Sequence, residues 1–336
     1  MERSALILGI SGQSGGFLTE FLLQKNYRVI GFGQKDSILR SERLRQFGDA
    51  VEFRHGDMRD PDSISQAVRD LSVEEIYNLA GQSHPGASWA LAVETGEVNA
   101  MGAHRLFEAV RRLRPETRIF QASSSEMFGA VSETPQRETT PFNPVNPYAV
   151  SKVYAHQTAR VYRQDHGSHI ACGILFNHES RYRDMNFLSQ KLTYGAACAK
   201  LGIRNSPQVN EQGEPVVKDG KLAMGNLHVT RDWGYAGDYV RAMWLMLQQP
   251  KSDDFVIGTG VSRSVQEMCE TVYAIAGLDW RGHVVTDPRF LRPSETGGTV
   301  ADSTKAKEKL GWSPTTSFKD MLADMVEAHL ERLKQR

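Results

Sequence analysis

The residues best suited to chemistry in this 336-residue chain are a tyrosine and a lysine four positions apart. In Tyr148-Ala-Val-Ser-Lys152, a helix would place the ammonium group one turn beyond the phenol and on the same face. A nearby positive charge stabilises a phenolate, which lowers the pKa of a phenol from its usual value of about 10. The pair therefore predicts a tyrosine that acts as a general base near neutral pH.

A hydroxyl and a carboxylate precede this pair in the string Ser123-Ser124-Ser125-Glu126. Once an alcohol has been oxidised, a carboxylate beside the predicted base can remove a proton from the carbon next to the new ketone. Plain alcohol oxidation does not need this second step. Ser124 and Glu126 are thus further catalytic candidates, while Glu126 as a helix cap or a solvated acid stays open as the alternative.

Glycines directly follow the first apolar run, in Gly9-Ile-Ser-Gly12-Gln13-Ser-Gly15. Between a strand and a helix, such glycines allow the backbone to approach a pyrophosphate at the helix N-terminus. The motif predicts a dinucleotide site that includes Gln13, with an ordinary glycine-rich turn as the alternative. Further contacts to the adenine and ribose are predicted where two later strands end, at Asp57, Met58, Leu79 and Ala80.

The choice between the two nicotinamide cofactors depends on the residues after the second strand. An NAD site usually places an acid there for the ribose 2′-hydroxyl. Here Lys35 and Arg40 surround Asp36, and Arg43 follows. Lys35 and the two arginines favour a 2′-phosphate and therefore NADP(H), whereas Asp36 leaves NAD(H) open. The alternative for Lys35 and Arg40 is that they are solvated charges at a helix start.

These residues require a sheet whose strands all end at one edge. Short apolar runs alternate with amphipathic stretches through the first half, which predicts an α/β fold with a doubly wound parallel Rossmann sheet. Predicted strands cover residues 4–8, 28–32, 51–54, 75–79, 118–122 and 170–175, and predicted helices cover 15–24, 41–47, 62–71, 99–112 and 148–164.

The second half predicts a smaller substrate-binding domain. Helices are expected at residues 235–247, 265–276 and 318–333, and residues 204–221 are expected to form an exposed loop or hairpin. We expect residues 1–178 with about 227–258 to bind the dinucleotide. The nucleotide-sugar-binding domain would then comprise residues 179–226 and 259–336.

The amino-acid composition limits the kinds of partner that are expected. Forty basic residues balance forty acidic ones, so no net field favours nucleic acid or a membrane surface. The widely spaced Cys172, Cys198 and Cys269 suggest buried reduced thiols and no metal site. The first strand begins at once and no apolar stretch reaches membrane-spanning length, so a cytoplasmic location is expected.

Several strings resemble the GDP-mannose 4,6-dehydratase family, which modifies nucleotide sugars and belongs to the extended short-chain dehydrogenases/reductases. The resemblance covers nearly the whole chain. It is carried by residues 9–15 and 147–152 and by Ile76-Tyr-Asn-Leu-Ala-Gly-Gln-Ser-His84, Gln121-Ala-Ser-Ser-Ser-Glu126, Phe176-Asn-His-Glu-Ser180, Met224-Gly-Asn-Leu227 and Arg231-Asp-Trp-Gly234.

The resemblance implies a reaction on GDP-mannose in three steps: oxidation at C4, loss of water across C5 and C6, and return of the hydride to C6, with tightly bound NADP(H). Tyr148 would be the base for the C4 hydroxyl, assisted by Lys152, and Glu126 would act at C5 and C6. Ser124 stands where the family usually has threonine.

The resemblance also implies substrate contacts and a homodimer or homotetramer. Arg183 lies where the family has a segment over the sugar, and Arg231 has a domain-bridging salt bridge as its alternative role. The implied substrate-binding residues are Ser83, Asn177, Arg183, Lys191 and Arg231, with Arg292 and Glu295 near the nucleoside.

Other functions remain open at this point. The donor could be another GDP-sugar such as GDP-heptose, or the enzyme could be a 4-keto nucleotide-sugar reductase or epimerase. A non-catalytic sensor of cofactor levels is a third reading. Glu126 favours dehydration over simple reduction, and a sensor needs none of the acid–base set.

Overall fold

The computed structural model of the protein describes residues 3–210, 212–291 and 298–335. Its strands are β1 (Ser4–Leu8), β2 (Arg28–Gly33), β3 (Val51–His55), β4 (Glu75–Asn78), β5 (Arg118–Ser124), β6 (Ile170–Leu175), β7 (Asn177–Glu179), β8 (Val217–Lys218), β9 (Lys221–Met224), β10 (Thr230–Tyr235), β11 (Asp254–Ile257), β12 (Ser262–Ser264) and β13 (Val284–Thr286). Its α-helices are α1 (Gln13–Gln24), α2 (Lys35–Arg40), α3 (Glu42–Arg45), α4 (Pro61–Leu71), α5 (Ala92–Thr95), α6 (Gly102–Leu113), α7 (Pro147–His166), α8 (Leu188–Lys200), α9 (Ala236–Gln248), α10 (Val265–Ala276), α11 (Thr304–Leu310) and α12 (Phe318–Lys334). Within these residues, none of the helices has the length and apolarity that crossing a membrane requires.

A seven-stranded parallel sheet in the order β11-β6-β5-β4-β1-β2-β3 forms the centre of the fold. Strands β1 and β6 are buried at every residue. Successive residues of β1 pack on opposite faces of the sheet. Ile7 lies in one apolar cluster, whereas Leu6 and Leu8 lie in another. Helices therefore cover both faces of the sheet. The predicted doubly wound Rossmann sheet is confirmed.

The chain divides into two compact units. Within the described residues, the first contains the chain up to Phe176, Gly237–Ile257 and Ala301–Ser313, and the second contains Asn177–Ala236, Gly258–Val300 and the chain from Pro314 onward. The sequence-based division had placed residues 227–236 in the first unit and 301–313 in the second, and the structure has the reverse. Strand pairing explains the first difference, because β10 pairs with β7 and β12. Packing explains the second, because Trp312 joins the core of the first unit and donates a hydrogen bond to the Asp238 carbonyl at 2.8 Å.

In the part of the second unit that the structure describes, there are two small sheets and three packed helices. The sheets have the orders β12-β10-β7 and β13-β9-β8. Helices α8, α10 and α12 bury Leu192, Met268 and Leu322 in a common core. Helix α8 was not among the predicted elements. Part of the 204–221 segment forms the predicted hairpin, since β8 pairs antiparallel with β9.

Candidate active site

The glycine turn at the end of β1 allows an unusually close approach of backbone segments. Gly9 has a φ of +78°, and a Cβ there would lie 2.7 Å from the Ala80 backbone nitrogen at the end of β4. A Cβ on Gly15 would lie 2.5 Å from the Ile10 carbonyl oxygen. Gly12 is the N-cap residue of α1. The turn thus has the compactness and the open helix N-terminus that pyrophosphate binding requires.

Arg43, one of the arginines offered for the 2′-phosphate, lies beside this turn. Arg43 donates a hydrogen bond from Nη1 to the carbonyl of Gln13, the first residue of α1, at 2.7 Å. Its guanidinium lies 4.3 Å from the centroid of the Phe17 ring. The sequence offers no signal for this contact beyond a positive charge, because thirty residues separate Arg43 from Gln13.

Two of the cations proposed for the 2′-phosphate occupy opposite ends of one short helix. Lys35 is the first residue of α2 and Arg40 the last, and both are exposed. Arg40 pairs with Asp36 at 3.6 Å, so their charges offset each other. The structure therefore does not bring Lys35 and Arg40 together, and it leaves Lys35 as the stronger candidate of the two.

Asp57 and its neighbours follow β3. Its carboxylate accepts a hydrogen bond from Gln34 at 2.8 Å and pairs with Arg59 at 2.6 Å. The hydrogen bond from the Arg59 guanidinium holds the pKa of the Asp57 carboxyl well below its ordinary range. Met58 is buried, whereas Leu79 is partly buried against the core. Asp57 is therefore a fixed anion at the edge where adenosine contacts are predicted.

Tyr148 and Lys152 lie in the first turns of α7, as the spacing predicted. Asn146 caps this helix by accepting a hydrogen bond from the Ala149 N–H at 2.8 Å. Both side chains are buried, and Lys152 Nζ lies 5.8 Å from the centroid of the Tyr148 ring. Lys152 Nζ also donates to the Ala122 carbonyl on β5 at 2.9 Å. Burial lowers the pKa of Lys152 to about 8.

A buried asparagine that the sequence analysis missed supports this pair. Asn99 lies in a π-helical segment, Gly96–Met101, just before α6. Its Oδ1 accepts from the Gln82 N–H at 2.9 Å, and its Nδ2 donates to Ser151 Oγ at 3.2 Å. Asn99 thereby fixes the segment after β4 to α7. Single π turns often occur at functional sites, but sequence periodicity does not reveal them.

Ser124 and Glu126 lie where β5 ends. Ser124 Oγ accepts a hydrogen bond from the Glu126 N–H at 3.2 Å, so the serine, and not the glutamate, caps the short helix that follows. The Glu126 carboxylate is half-buried and accepts from Asn146 Nδ2 at 3.4 Å. Because Asn146 also caps α7, one residue connects the candidate carboxylate with the helix that carries Tyr148.

A buried polar network lies behind this site. Ser123 Oγ is 2.9 Å from His156 Nδ1, and His156 Nε2 is 3.6 Å from Asp254. His156, Cys172 and Asp254 are close enough to hold a metal ion, yet Arg163 pairs with Asp254 at 2.8 Å and contacts the Cys172 sulfur at 3.7 Å. A guanidinium therefore already supplies the positive charge. Burial lowers the pKa of His156 to about 4 and raises the pKa of Cys172, so both groups are neutral near pH 7. Like Cys172, the two remaining cysteines are buried and free.

The residues proposed for the substrate divide between the units. Ser83 is exposed after β4 in the first unit. In the second unit, Asn177 lies opposite Trp233 in the β7–β10 pair, and Arg231 lies on β10 opposite Arg263 of β12. Arg292 and Glu295 lie outside the described residues.

Arg183 and Lys191 have different surroundings in the second unit. Arg183 lies 3.3 Å from the buried Glu179 carboxylate and 3.5 Å from the centroid of the Phe187 ring. It therefore has a structural role whether or not it contacts a sugar. Lys191, on α8, lines a cavity.

Comparisons with known proteins agree with the fold and identify the family. A family model described as GDP-mannose 4,6 dehydratase matches residues 6–325. The chain is 40% identical to GDP-mannose 4,6 dehydratase 1 of Arabidopsis thaliana, over 99% of this chain and 91% of the relative. It is 38% identical to a GDP-mannose 4,6-dehydratase of Vibrio cholerae, over 98% and 95%. Among solved structures, a dTDP-glucose 4,6-dehydratase from Streptomyces venezuelae with NAD bound superposes with a TM-score of 0.82, at 23% identity over 99% of this chain and 98% of that one.

Proposed function

Because the chain belongs to the GDP-mannose 4,6-dehydratase family, we propose that it converts GDP-mannose to GDP-4-keto-6-deoxy-mannose. One structural observation supports the proposal most directly. Glu126 and the Tyr148–Lys152 pair are connected through Asn146, so an elimination acid–base group accompanies the oxidation pair. A simple reductase would need only the pair.

The first unit fits a dinucleotide cofactor. The spaces beside Gly9 and Gly15 are too small for a Cβ, because the Ala80 and Ile10 backbones occupy them, so only glycine fits this tight strand–turn–helix connection. We propose NADP(H), held at its ribose end by Lys35, with NAD(H) as the alternative. When bound, this cofactor supplies hydride acceptance from C4 and hydride return to C6.

The residues of the chain would then move protons. Tyr148 takes the proton of the C4 hydroxyl, and the Lys152 ammonium stabilises the phenolate. The ketone at C4 acidifies the C5 proton, which Glu126 removes. Glu126 then gives this proton to the C6 hydroxyl, which leaves as water. When C6 takes up hydride, C5 would receive the proton that Tyr148 took from the C4 hydroxyl, so that Tyr148 is restored and one water is lost with no net consumption of cofactor. Ser124 offers a hydroxyl at the same edge.

Domain roles and assembly belong to this proposal as well. The first unit would hold the cofactor and the catalytic residues, and the second would supply nucleotide contacts from Asn177, Lys191 and Arg231. A cytoplasmic homodimer or homotetramer is proposed, and size-exclusion chromatography with light scattering measures the assembly.

The decisive experiment incubates the purified protein with a panel of nucleotide sugars and follows the products by mass. We expect GDP-mannose to lose one water without net oxidation of NADPH. A 4-keto sugar reductase would instead oxidise one NADPH for each product, and an epimerase would leave the mass unchanged. Loss of water only from another GDP-sugar, such as a GDP-heptose, would correct the donor while preserving the reaction.

A further inference from the structure

The turn that carries Glu126 is joined by backbone hydrogen bonds to the segment that leads into α7. Glu126 lies in a short helix, Ser125–Phe128, directly after β5. The Asn143 N–H donates to the Met127 carbonyl at 3.1 Å, and the Asn143 carbonyl accepts from the Ala130 N–H at 3.1 Å. Met127 is fully buried, so the turn is anchored in the core. The Glu126 backbone therefore has a fixed position relative to the start of α7.

A glycine makes this close backbone approach possible. Gly129 has a φ of +54°, in the left-handed region that favours glycine. A Cβ there would lie 1.8 Å from the Asn143 carbonyl oxygen, a separation that two atoms without a bond cannot adopt. The Gly129 N–H donates to the Glu126 carbonyl at 3.1 Å and closes the turn. The backbone itself therefore sets the spacing between the Glu126 turn and the segment before α7.

Asn146 uses both ends of its amide in this arrangement. Its Oδ1 accepts the Ala149 N–H at 2.8 Å and caps α7. Because an N–H needs an acceptor, this bond leaves the amide nitrogen to face Glu126, and Nδ2 lies 3.4 Å from Oε2 of that residue. Capping alone does not require asparagine, since aspartate and serine cap helices about as well. Asparagine differs from them because its amide can donate to a second group while it caps.

The second group is the carboxylate that the proposed elimination needs. The carboxylate must be ionised before it can take the C5 proton. A hydrogen-bond donor favours the charged form of a carboxylate and restricts its rotation. The Asn146 amide therefore acts on both the charge and the orientation of Glu126.

We propose that Asn146 is a positioning residue for the elimination step. Its amide holds Oε2 of Glu126, so that Oε1 carries the proton from C5 to the C6 hydroxyl. The inference rests on the proposed function and adds a residue that acts through Glu126 and not on the substrate. Oxidation at C4, which we assign to Tyr148, does not use this bond. Removal of the donor should therefore slow elimination and spare oxidation, whereas damage to the fold would slow both.

The test compares cofactor-loaded Asn146→Ser and Asn146→Asp with the wild type. Both variants keep an acceptor at the N-cap, so urea unfolding should give the wild-type midpoint. After mixing with GDP-mannose, nicotinamide absorbance in the first turnover measures oxidation, and product mass measures elimination.

In Asn146→Ser we expect 6-deoxy product to form about ten-fold more slowly, the scale of one hydrogen bond to a charged group. Cofactor reduction should stay within about three-fold of the wild type, because a general base other than Glu126 performs it. Bound reduced cofactor should therefore accumulate. Asn146→Asp should eliminate water more slowly still, because it replaces the donor by a second negative charge.

Asn143→Ser is the matched control, an asparagine-to-serine change in the same segment. Asn143 is exposed, and its Nδ2 donates to the Ala130 carbonyl at 3.0 Å. The substitution keeps both backbone bonds of the turn, so the two steps should run near the wild-type rates. An equal loss of elimination in Asn143→Ser and Asn146→Ser overturns the proposal, because loosening the segment would then be enough. Wild-type product formation by both Asn146 variants overturns it as well, as does equal slowing of the two steps.

The wild type separates this inference from the proposed function. Water loss from GDP-mannose by the wild type, together with unaffected Asn146 variants, refutes only the role of Asn146. If the wild type removes water from no nucleotide sugar, the reaction is refuted, and the elimination step that Asn146 would serve is refuted with it.

Discussion

Replacing Glu126 by glutamine separates dehydration from simple oxidation. The amide keeps the shape of the carboxylate, and its oxygen can still accept the 3.4 Å hydrogen bond from Asn146. The 3.2 Å bond to Ser124 Oγ comes from the Glu126 backbone and is unaffected. Since only a long, half-buried contact changes, the free energy of unfolding should change by less than about 1 kcal/mol.

Catalysis should change far more than stability. A positioned general acid–base group contributes about a hundred- to ten-thousand-fold to rate, which corresponds to about 3–5 kcal/mol of activation free energy. Oxidation at C4, which we assign to Tyr148, should survive, whereas elimination across C5 and C6 should fail. The variant should therefore stop with its cofactor reduced.

The assay mixes the cofactor-loaded variant with GDP-mannose and follows nicotinamide absorbance together with product mass. We expect bound reduced cofactor to accumulate and no 6-deoxy product to appear. Glu116→Gln, the same charge change at an exposed position before β5, serves as the control and should behave as wild type. Wild-type formation of the 4-keto-6-deoxy sugar by Glu126→Gln would place the elimination base elsewhere.

Three further predictions address the neighbouring residues. Tyr148→Phe should abolish turnover while cofactor affinity, measured by fluorescence titration, stays within about two-fold, because only the proton acceptor is removed; undiminished turnover would contradict the assignment. Lys35→Ala should weaken NADP(H) binding by about 1–3 kcal/mol and barely change NAD(H) binding, and equal effects on the two cofactors would show that Lys35 does not contact the 2′-phosphate. Lys152 should make stability depend on pH, because the folded cofactor-free protein releases its proton near pH 8 whereas the unfolded chain holds it until about pH 10.5. Between these values the unfolding free energy of the wild type should rise relative to Lys152→Met by up to about 3 kcal/mol, as followed by urea unfolding across this pH range; a difference that stays constant with pH would refute the burial argument.

Six of the seven strands of the central sheet were predicted, mostly from short apolar runs, whereas β11 (Asp254–Ile257) was not. The bounds of β1, β6 and α10 agree with the predicted ranges. Helix α8 was not predicted, because it buries the polar residues Ser189, Gln190 and Thr193, which break the apolar periodicity. The helix predicted at residues 41–47 is the shorter α3, preceded by a separate helix α2, because Ser41 ends α2 and its hydroxyl caps α3 through the Leu44 N–H.

The candidate site likewise contains residues that the sequence predicts and residues that it does not. Tyr148 and Lys152 are one turn apart on a single helix, so local spacing was enough to predict them. Asn99 acts through Gln82 and Ser151, which are 17 and 52 residues away. Such contacts depend on how distant segments meet, and one sequence carries no local pattern for them. The capping role of Ser124 was missed because its hydroxyl was assigned to catalysis alone.

Helix α7 holds the candidate catalytic residues on a buried face, where little local motion is expected. Tyr148, Lys152 and His156 follow one another at four-residue intervals, and all three are buried. Amide hydrogens along that face should exchange with solvent only when much of the first unit opens. Lys35 instead lies on α2, a six-residue helix that buries only Ile38. Substitutions on α2 should therefore change the proposed cofactor preference at little cost in folding free energy, whereas substitutions on the buried face of α7 should destabilise the first unit.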